Sequence, residues 1–307
     1  MPPPTFLILG AQKCGTDALY HALRRHPDIG MSPNKEPFFF IMDGRLPDYR
    51  IPGPRYANRL VSDWDSYLRL FAGFEGKRAI GEASAIYLSS YFPEKTAARI
   101  RERIPDARLI ALVRQPAERA YSAYHFYRAR DFEPLSSFSA ALAAEPARIQ
   151  ANDTPDFRHR MNGYYHANLK PYYERFPREQ IQVCLFDDWN ADPAGTLRTL
   201  FRFLDVDPNV PVEVDRRNVT YQYRSQHLHR VLTRPGRLGT RWHRLLPAGV
   251  LSWLDRCNRR PLPPMSTDLW HMLTEGYRDD ILKLQDLIGR DLSHWLTRKH
   301  SGSTRGV

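Results

Sequence analysis

Eight consecutive residues, Gly10-Ala-Gln12-Lys13-Cys14-Gly15-Thr16-Asp17, combine a glycine-bearing turn, a lysine and a hydroxyl directly ahead of a segment with helical spacing, Ala18, Leu19, Ala22 and Leu23. The apolar run Phe6-Leu-Ile-Leu9 precedes them, so the order reads as buried strand, turn, helix. Such a turn aims free backbone N–H groups and the positive end of a helix dipole at one point, each worth about 0.3–1 kcal/mol to an anion held there. Lys13 adds a full charge. The chemistry this offers is the holding of phosphate or sulfate.

The spacing of Gly10 and Gly15 is that of a nucleotide-triphosphatase loop, G-x-x-x-x-G-K-[ST]. Thr16 and Asp17 stand where that loop has its lysine and its magnesium-binding hydroxyl, and the lysine lies inside the turn instead. An anion site therefore fits better than metal-assisted ATP chemistry, with a kinase on a degenerate loop as the rival enzyme. Further along, Lys35-Glu36-Pro37 follows a short apolar strand, and Glu82 closes another, Arg78-Ala-Ile-Gly-Glu82. Either carboxylate could accept a hydroxyl proton beside the loop. The plainer readings are a solvated Lys-Glu turn for Glu36 and, for Glu82, a carboxylate that only orients Lys13 or an acceptor hydroxyl. Arg114 leaves a third apolar run, Arg108–Val113, and Ser122 sits on the helix begun by Pro116. An arginine fork at a strand end and a serine on the following helix can converge on one phosphate.

Taken together, F-L-I-L-G-A-Q-K-C-G-T-D-A-L, Lys35-Glu-Pro-Phe-Phe-Phe40, Gly81-Glu-Ala-Ser84-Ala-Ile-Tyr87 and Arg114-Gln-Pro-Ala-Glu-Arg119-Ala-Tyr-Ser122-Ala-Tyr124 resemble the sulfotransferases that use 3′-phosphoadenosine 5′-phosphosulfate (PAPS), the heparan-sulfate-type enzymes and their bacterial counterparts above all. The resemblance runs over roughly residues 5–208. It implies that Gln12 to Ala18 (Gln12, Lys13, Cys14, Gly15, Thr16, Asp17, Ala18) hold the 5′-phosphosulfate, with Lys13 on the bridging oxygen that leaves. It implies Arg114 and Ser122 on the 3′-phosphate, Glu36 as general base with Glu82 as the second candidate, PAPS as co-substrate and no metal. The acceptor is then a hydroxyl, before an amine, with a saccharide or glycolipid preferred. Two departures stand out: Ala83 where the family has lysine, and Gln115 where it has aspartate. They are the sequence basis for a non-enzymatic rival, a nucleotide- or polyanion-binding module on the same fold.

Alternating strands and helices imply an α/β fold, a P-loop-like central parallel sheet flanked by helices, in a single domain with a helical C-terminal part. Residues 1–210 are expected to carry the PAPS motifs, and 211–307 to complete the same domain. Helices are expected over about Thr16–Arg25, Trp64–Phe71, Glu94–Ile104, Pro134–Ile149, Gly163–Pro177, Pro193–Leu204 and from Leu273 onward. The Phe38–Phe40 run is expected in the core. The Gly-, Pro- and Trp-containing stretch 43–75 is the expected acceptor-selecting region, and Arg216-Arg217-Asn218 resembles a family stretch ahead of a covering segment. The final ten or so residues are expected to be disordered.

The net charge of +11 directs attention to anionic partners. No interleaved aromatic and basic recognition motif marks nucleic acid. Residues 224–260 are strongly basic and open to three roles: covering the active site, binding an anionic acceptor, or peripheral contact with a membrane. A docked, solvated helical hairpin is the plainer account. Cys14, Cys184 and Cys257 are too few and too scattered for a disulfide framework or a zinc site. With no basic and apolar leader at Met1-Pro-Pro-Pro and no long apolar run, the expected location is cytoplasmic, as in a bacterial-type enzyme.

Overall fold

The computed structural model describes residues 1–42, 60–89, 91–214, 221–233 and 247–298. Residues 43–59 of the expected acceptor-selecting stretch, Arg216-Arg217-Asn218 and the chain beyond 298 lie outside the described residues.

Strand β1, Phe6–Gly10, is buried at every position and lies in the middle of a five-stranded sheet of order β2-β3-β1-β4-β5. Its partners are β3, Ala79–Ala83, on one side and β4, Arg108–Val113, on the other, with β2, Ile29–Met31, and β5, Ile181–Leu185, at the edges. All four pairings are parallel. Apolar side chains on both faces explain the near-continuous hydrophobic runs of β1 and β4. The chain leaves β1 toward one edge and β4 toward the other, so a crevice opens between their carboxyl ends. Lys13 and Arg114 both follow those ends.

Helix α1, Thr16–Leu23, starts at Gly15, whose φ of 92° only a glycine adopts without strain. Next come α2, Phe39–Met42, and α3, Trp64–Arg69, which close an aromatic cluster in which Phe39 stacks on Tyr67 at 4.5 Å. Phe38, Phe39 and Phe40 are all buried there. After β3, α4, Pro93–Arg103, leads to β4; α5, Pro116–Ala129, and α6, Phe138–Gln150, follow. Helix α6 begins four residues later than its alanine-rich composition suggests, because Ser137 accepts from Ala140 N–H and caps it. Helix α7 is Tyr165–Tyr173. Beyond β5, α8, Phe186–Ala191, forms where the sequence reads only as an acidic turn, and α9, Pro193–Phe203, follows it.

The basic segment adds a feature that its composition does not announce. Strand β6, Tyr221–Tyr223, pairs antiparallel with β7, Arg259–Pro261, and between them run α10, Gln226–Thr233, and α11, Ala248–Asn258. Stacking of Tyr223 on His229 and the His229–Asp255 contact of 3.0 Å join strand and helices. Strand β6 packs on α5, and the last helix, α12, Thr267–Ile288, packs on α5 and α7. Gly289, at φ 64°, ends α12 in a left-handed cap.

Gly10 sits at φ 141°, and a methyl group added there would stand 2.6 Å from the Ala85 carbonyl oxygen. Gly10→Ala is expected to cost about 1–3 kcal/mol, read as a lower urea midpoint with unchanged slope. An unchanged midpoint would show that the chain leaves β1 by another route.

Candidate functional site

The turn after β1 is closed by its own backbone: Cys14 N–H donates to the Ala11 carbonyl at 3.2 Å, and Lys13 takes a left-handed φ of 68°. That conformation costs a non-glycine residue about 1–3 kcal/mol, the kind of strain that accompanies binding loops. The N–H groups of Thr16, Asp17 and Ala18 open α1 and have no helical carbonyl ahead of them. Gln12 is anchored sideways, its amide donating to Asp156 Oδ1 at 2.8 Å. Cys14 is fully buried with its sulfur 3.6 Å from the Tyr165 hydroxyl, and burial pushes its thiol pKa up, which argues against a nucleophile.

Positive charge gathers around this turn. Lys13 Nζ lies 4.0 Å from the centroid of the Phe126 ring, and the Arg130 guanidinium lies 3.6 Å from the same centroid. Desolvation, then the charges of Arg130 and Arg114, push Lys13 down to about 7. Arg114 leaves β4 beside Phe186, 4.8 Å from its ring, and holds Glu118 at 2.9 Å. Below the turn Arg119 is buried, its Nη2 donating to the His159 carbonyl. Among the described residues its Nε and Nη1 meet no hydrogen-bond acceptor. No carboxylate of the described residues lies within ion-pair distance of Lys13, Arg119 or Arg130.

Helix α5 organises much of this. Arg119, Ser122, Phe126 and Arg130 follow one another at steps of three, four and four residues, which places them on a single stripe. Ser122, one of the sequence candidates, is buried on that stripe. The sequence motif contains Arg119 without assigning it a role, and Phe126 and Arg130 lie beyond it, although their helical spacing from Ser122 is legible there. What the spacing could not say is that the stripe faces the Lys13 turn.

The two carboxylates come together at the end of β3. Glu82 is completely buried; Tyr67 Oη donates to one oxygen at 3.3 Å and Ser84 Oγ to the other at 2.9 Å. Burial, with a smaller push from Glu36, raises Glu82 to about 8, while the hydroxyls of Tyr87, Ser84 and Tyr67 pull the other way. Ser84 Oγ also accepts from Phe38 N–H at 3.2 Å, and Glu36 N–H donates to the Ala83 carbonyl at 2.9 Å. Glu82 is thus the root of a chain of bonds that fixes the Lys35–Phe38 turn, in which Glu36 and Phe38 have φ of 65° and 58°. Glu36 itself keeps 17% of its side chain exposed. Lys35 binds Asp17 at 2.7 Å and stands 3.9 Å from Glu36, tying this turn to the first turn of α1. Among the described residues no group of three or more His, Cys, Asp and Glu is placed to hold a metal ion, and no helix is long and apolar enough to cross a membrane.

A parallel sheet with an anion turn at the carboxyl end of its central strand, cations on the next helix and two carboxylates beside them defines a P-loop-like α/β protein that handles an anionic group. Residues 3–227 match the model of the sulfotransferase domain, and the chain belongs to that family, whose reaction class is sulfuryl transfer. It is 28% identical over 309 residues to the bifunctional heparan sulfate N-deacetylase/N-sulfotransferase 1 of Xenopus tropicalis, covering 98% of this chain and 32% of that protein. With the corresponding enzyme 3 of Homo sapiens it shares 28% identity over 305 residues, 96% of this chain and 31% of that one. The chain therefore spans about a third of the length of these curated relatives. Among solved structures, the sulfotransferase from Alicyclobacillus acidocaldarius is 32% identical, with a TM-score of 0.75 over 96% of this chain and 99% of that one.

Glu82 gives a pH test of the buried network. Its native pKa lies above the unfolded value, so its contribution is complete below about pH 4.5 and is lost as pH rises through about 8. Wild-type Tm is expected to fall relative to that of Glu82→Gln between about pH 4.5 and about pH 8 and to level off above that, the variant having no proton to lose. Parallel Tm curves for the two proteins would show that Glu82 ionises normally.

Proposed function

We propose that this chain transfers the sulfuryl group of PAPS to a hydroxyl acceptor, a saccharide or glycolipid by preference. The observation that carries the reading is Lys13, strained and stripped of water among guanidinium groups, in a turn at the crevice of the sheet. Such a group gains most when a polyanion enters. Residues Gln12 to Ala18 cradle the 5′-phosphosulfate through the turn and the first N–H groups of α1. Arg114 exchanges Glu118 for the 3′-phosphate, with Ser122 as a second donor. Residues 1–210 carry these motifs, and 211–307 complete the same domain.

The acceptor oxygen attacks sulfur opposite the phosphate oxygen. The new O–S bond forms as the S–O bond to the 5′-phosphate breaks, and 3′-phosphoadenosine 5′-phosphate departs. Lys13 hydrogen-bonds to the departing oxygen as charge develops there. Glu36, the more accessible carboxylate, takes the acceptor proton. Glu82 serves by holding the turn that carries Glu36 rather than as the base, since burial keeps its proton on near neutrality. Positioning and charge stabilisation carry the rate, as in phosphoryl transfer, and the scheme calls for no metal. The relatives' names include N-sulfotransferase, so an amine is the second acceptor class.

Calorimetric titration with 3′-phosphoadenosine 5′-phosphate in EDTA tests the reading. Lys13→Ala and Arg114→Ala are each expected to weaken binding about tenfold or more. Binding raises the Lys13 pKa from about 7, so protons should be taken up, and affinity should fall from about pH 7 to about pH 9. Binding of ATP that requires magnesium, or no effect of Arg114→Ala, would overturn the assignment. Glu36→Gln is expected to lower turnover of the glycan and amine acceptors screened while leaving nucleotide affinity unchanged.

A further inference from the structure

The stripe on α5 carries one cation more than the donor reading uses. Arg130 caps the helix, its Nη1 reaching back to the Phe126 carbonyl at 3.4 Å, a long bond that occupies one of five N–H donors. Its guanidinium lies against the Phe126 ring, which also carries Lys13, and no carboxylate of the described residues neutralises it. Its neighbour Asp131 is engaged by the insert: the Gln226 amide donates to it at 2.6 Å and the Arg230 guanidinium at 3.0 Å. The acid adjacent in sequence is thus engaged elsewhere; burial pushes the Arg130 guanidinium down, and Tyr221, Tyr127, Tyr223 and Arg259 stand near enough to act on its charge.

Order along the helix fixes which part of the donor Arg130 could meet. Ser122 and Phe126 are one turn apart, and Arg130 is one turn further, each turn advancing about 5–6 Å. With the 3′-phosphate at Arg114 and Ser122 and the departing oxygen at Lys13 over Phe126, the next turn lies beyond the departing oxygen, where the sulfuryl group sits.

Resting on the donor reading above, we propose that Arg130, shelved on Phe126, is a binding residue for the sulfuryl oxygens, and that it distinguishes the charged donor from the spent nucleotide. A planar guanidinium presents two parallel N–H donors to such oxygens, and its charge offsets theirs during transfer. The aromatic shelf holds the group in place without a carboxylate that the donor would have to displace. After transfer, the nucleotide no longer reaches Arg130.

The test compares PAPS with 3′-phosphoadenosine 5′-phosphate on the full chain by calorimetry, without acceptor. Arg130→Gln is expected to weaken PAPS about tenfold and the bisphosphate less than about threefold. Arg130→Lys should recover part of the difference, and Phe126→Leu should lose it in the same direction. Lys13→Ala weakens both nucleotides. Equal weakening of both by Arg130→Gln, or no change in either, overturns the assignment and leaves Arg130 as a helix cap. A lower thermal midpoint for Arg130→Gln with the PAPS preference retained also overturns it. Failure of the wild type to bind either nucleotide instead overturns the donor reading itself, together with this inference.

Discussion

Positive charge concentrated with little carboxylate to balance it among the described residues is the constraint around which this structure is arranged. Lys13, Arg119 and Arg130 stand around one turn without an ion-pair partner among the described residues, and Arg114 has only a half-exposed Glu118. Gathering like charges in partly desolvated surroundings is unfavourable, which is why Lys13 is held near 7. The remainder of the fold supplies the compensation. The central strand is buried throughout, α1 packs on the sheet, α5 packs on β6 and α12, and Phe126 offers its ring to two of the cations. Any anion entering such a turn relieves part of that repulsion.

The carboxylate side is built on the opposite principle, a proton retained rather than a charge exposed. Glu82 has hydroxyl donors on both of its oxygens and, among the described residues, no ion-pair partner. Its value is mechanical: through Ser84 it fixes Phe38, and with the Ala83 carbonyl it fixes Glu36 in a backbone conformation that costs energy. Lys35 then joins that turn to Asp17 at the start of α1. Lys35 thus adds a side-chain tie between two turns whose strands, β1 and β3, already pair in the sheet. Where the sulfotransferases this chain resembles have a lysine beside this glutamate, the chain has Ala83, buried in the core, whose carbonyl accepts from Glu36 N–H.

The basic segment joins this plan through its ends. Strands β6 and β7 clamp the insert against α5, while Asp131, immediately after Arg130, receives α10. Trp253 and Val250 on α11 remain exposed, at 56% and 38%.

The sequence by itself determined the frame. Apolar runs for β1 and β4, the glycine spacing of the turn, the Pro-started α5 and the aromatic run in the core are all local signals, because each depends on residues a few positions apart. The motifs carried the family for the same reason: an anion turn needs its residue types in fixed order. What only the tertiary structure decided are contacts between distant segments. These include which carboxylate is sealed and which is open, the capture of Gln12 by Asp156, the β6–β7 pairing across thirty-odd residues, and the meeting of Lys13 with Arg130 over Phe126. A helical period shows that Arg119, Ser122, Phe126 and Arg130 share a face. Only the packing of α5 among its neighbours shows what that face meets, because burial, and with it every shifted pKa in the site, is a property of assembled elements.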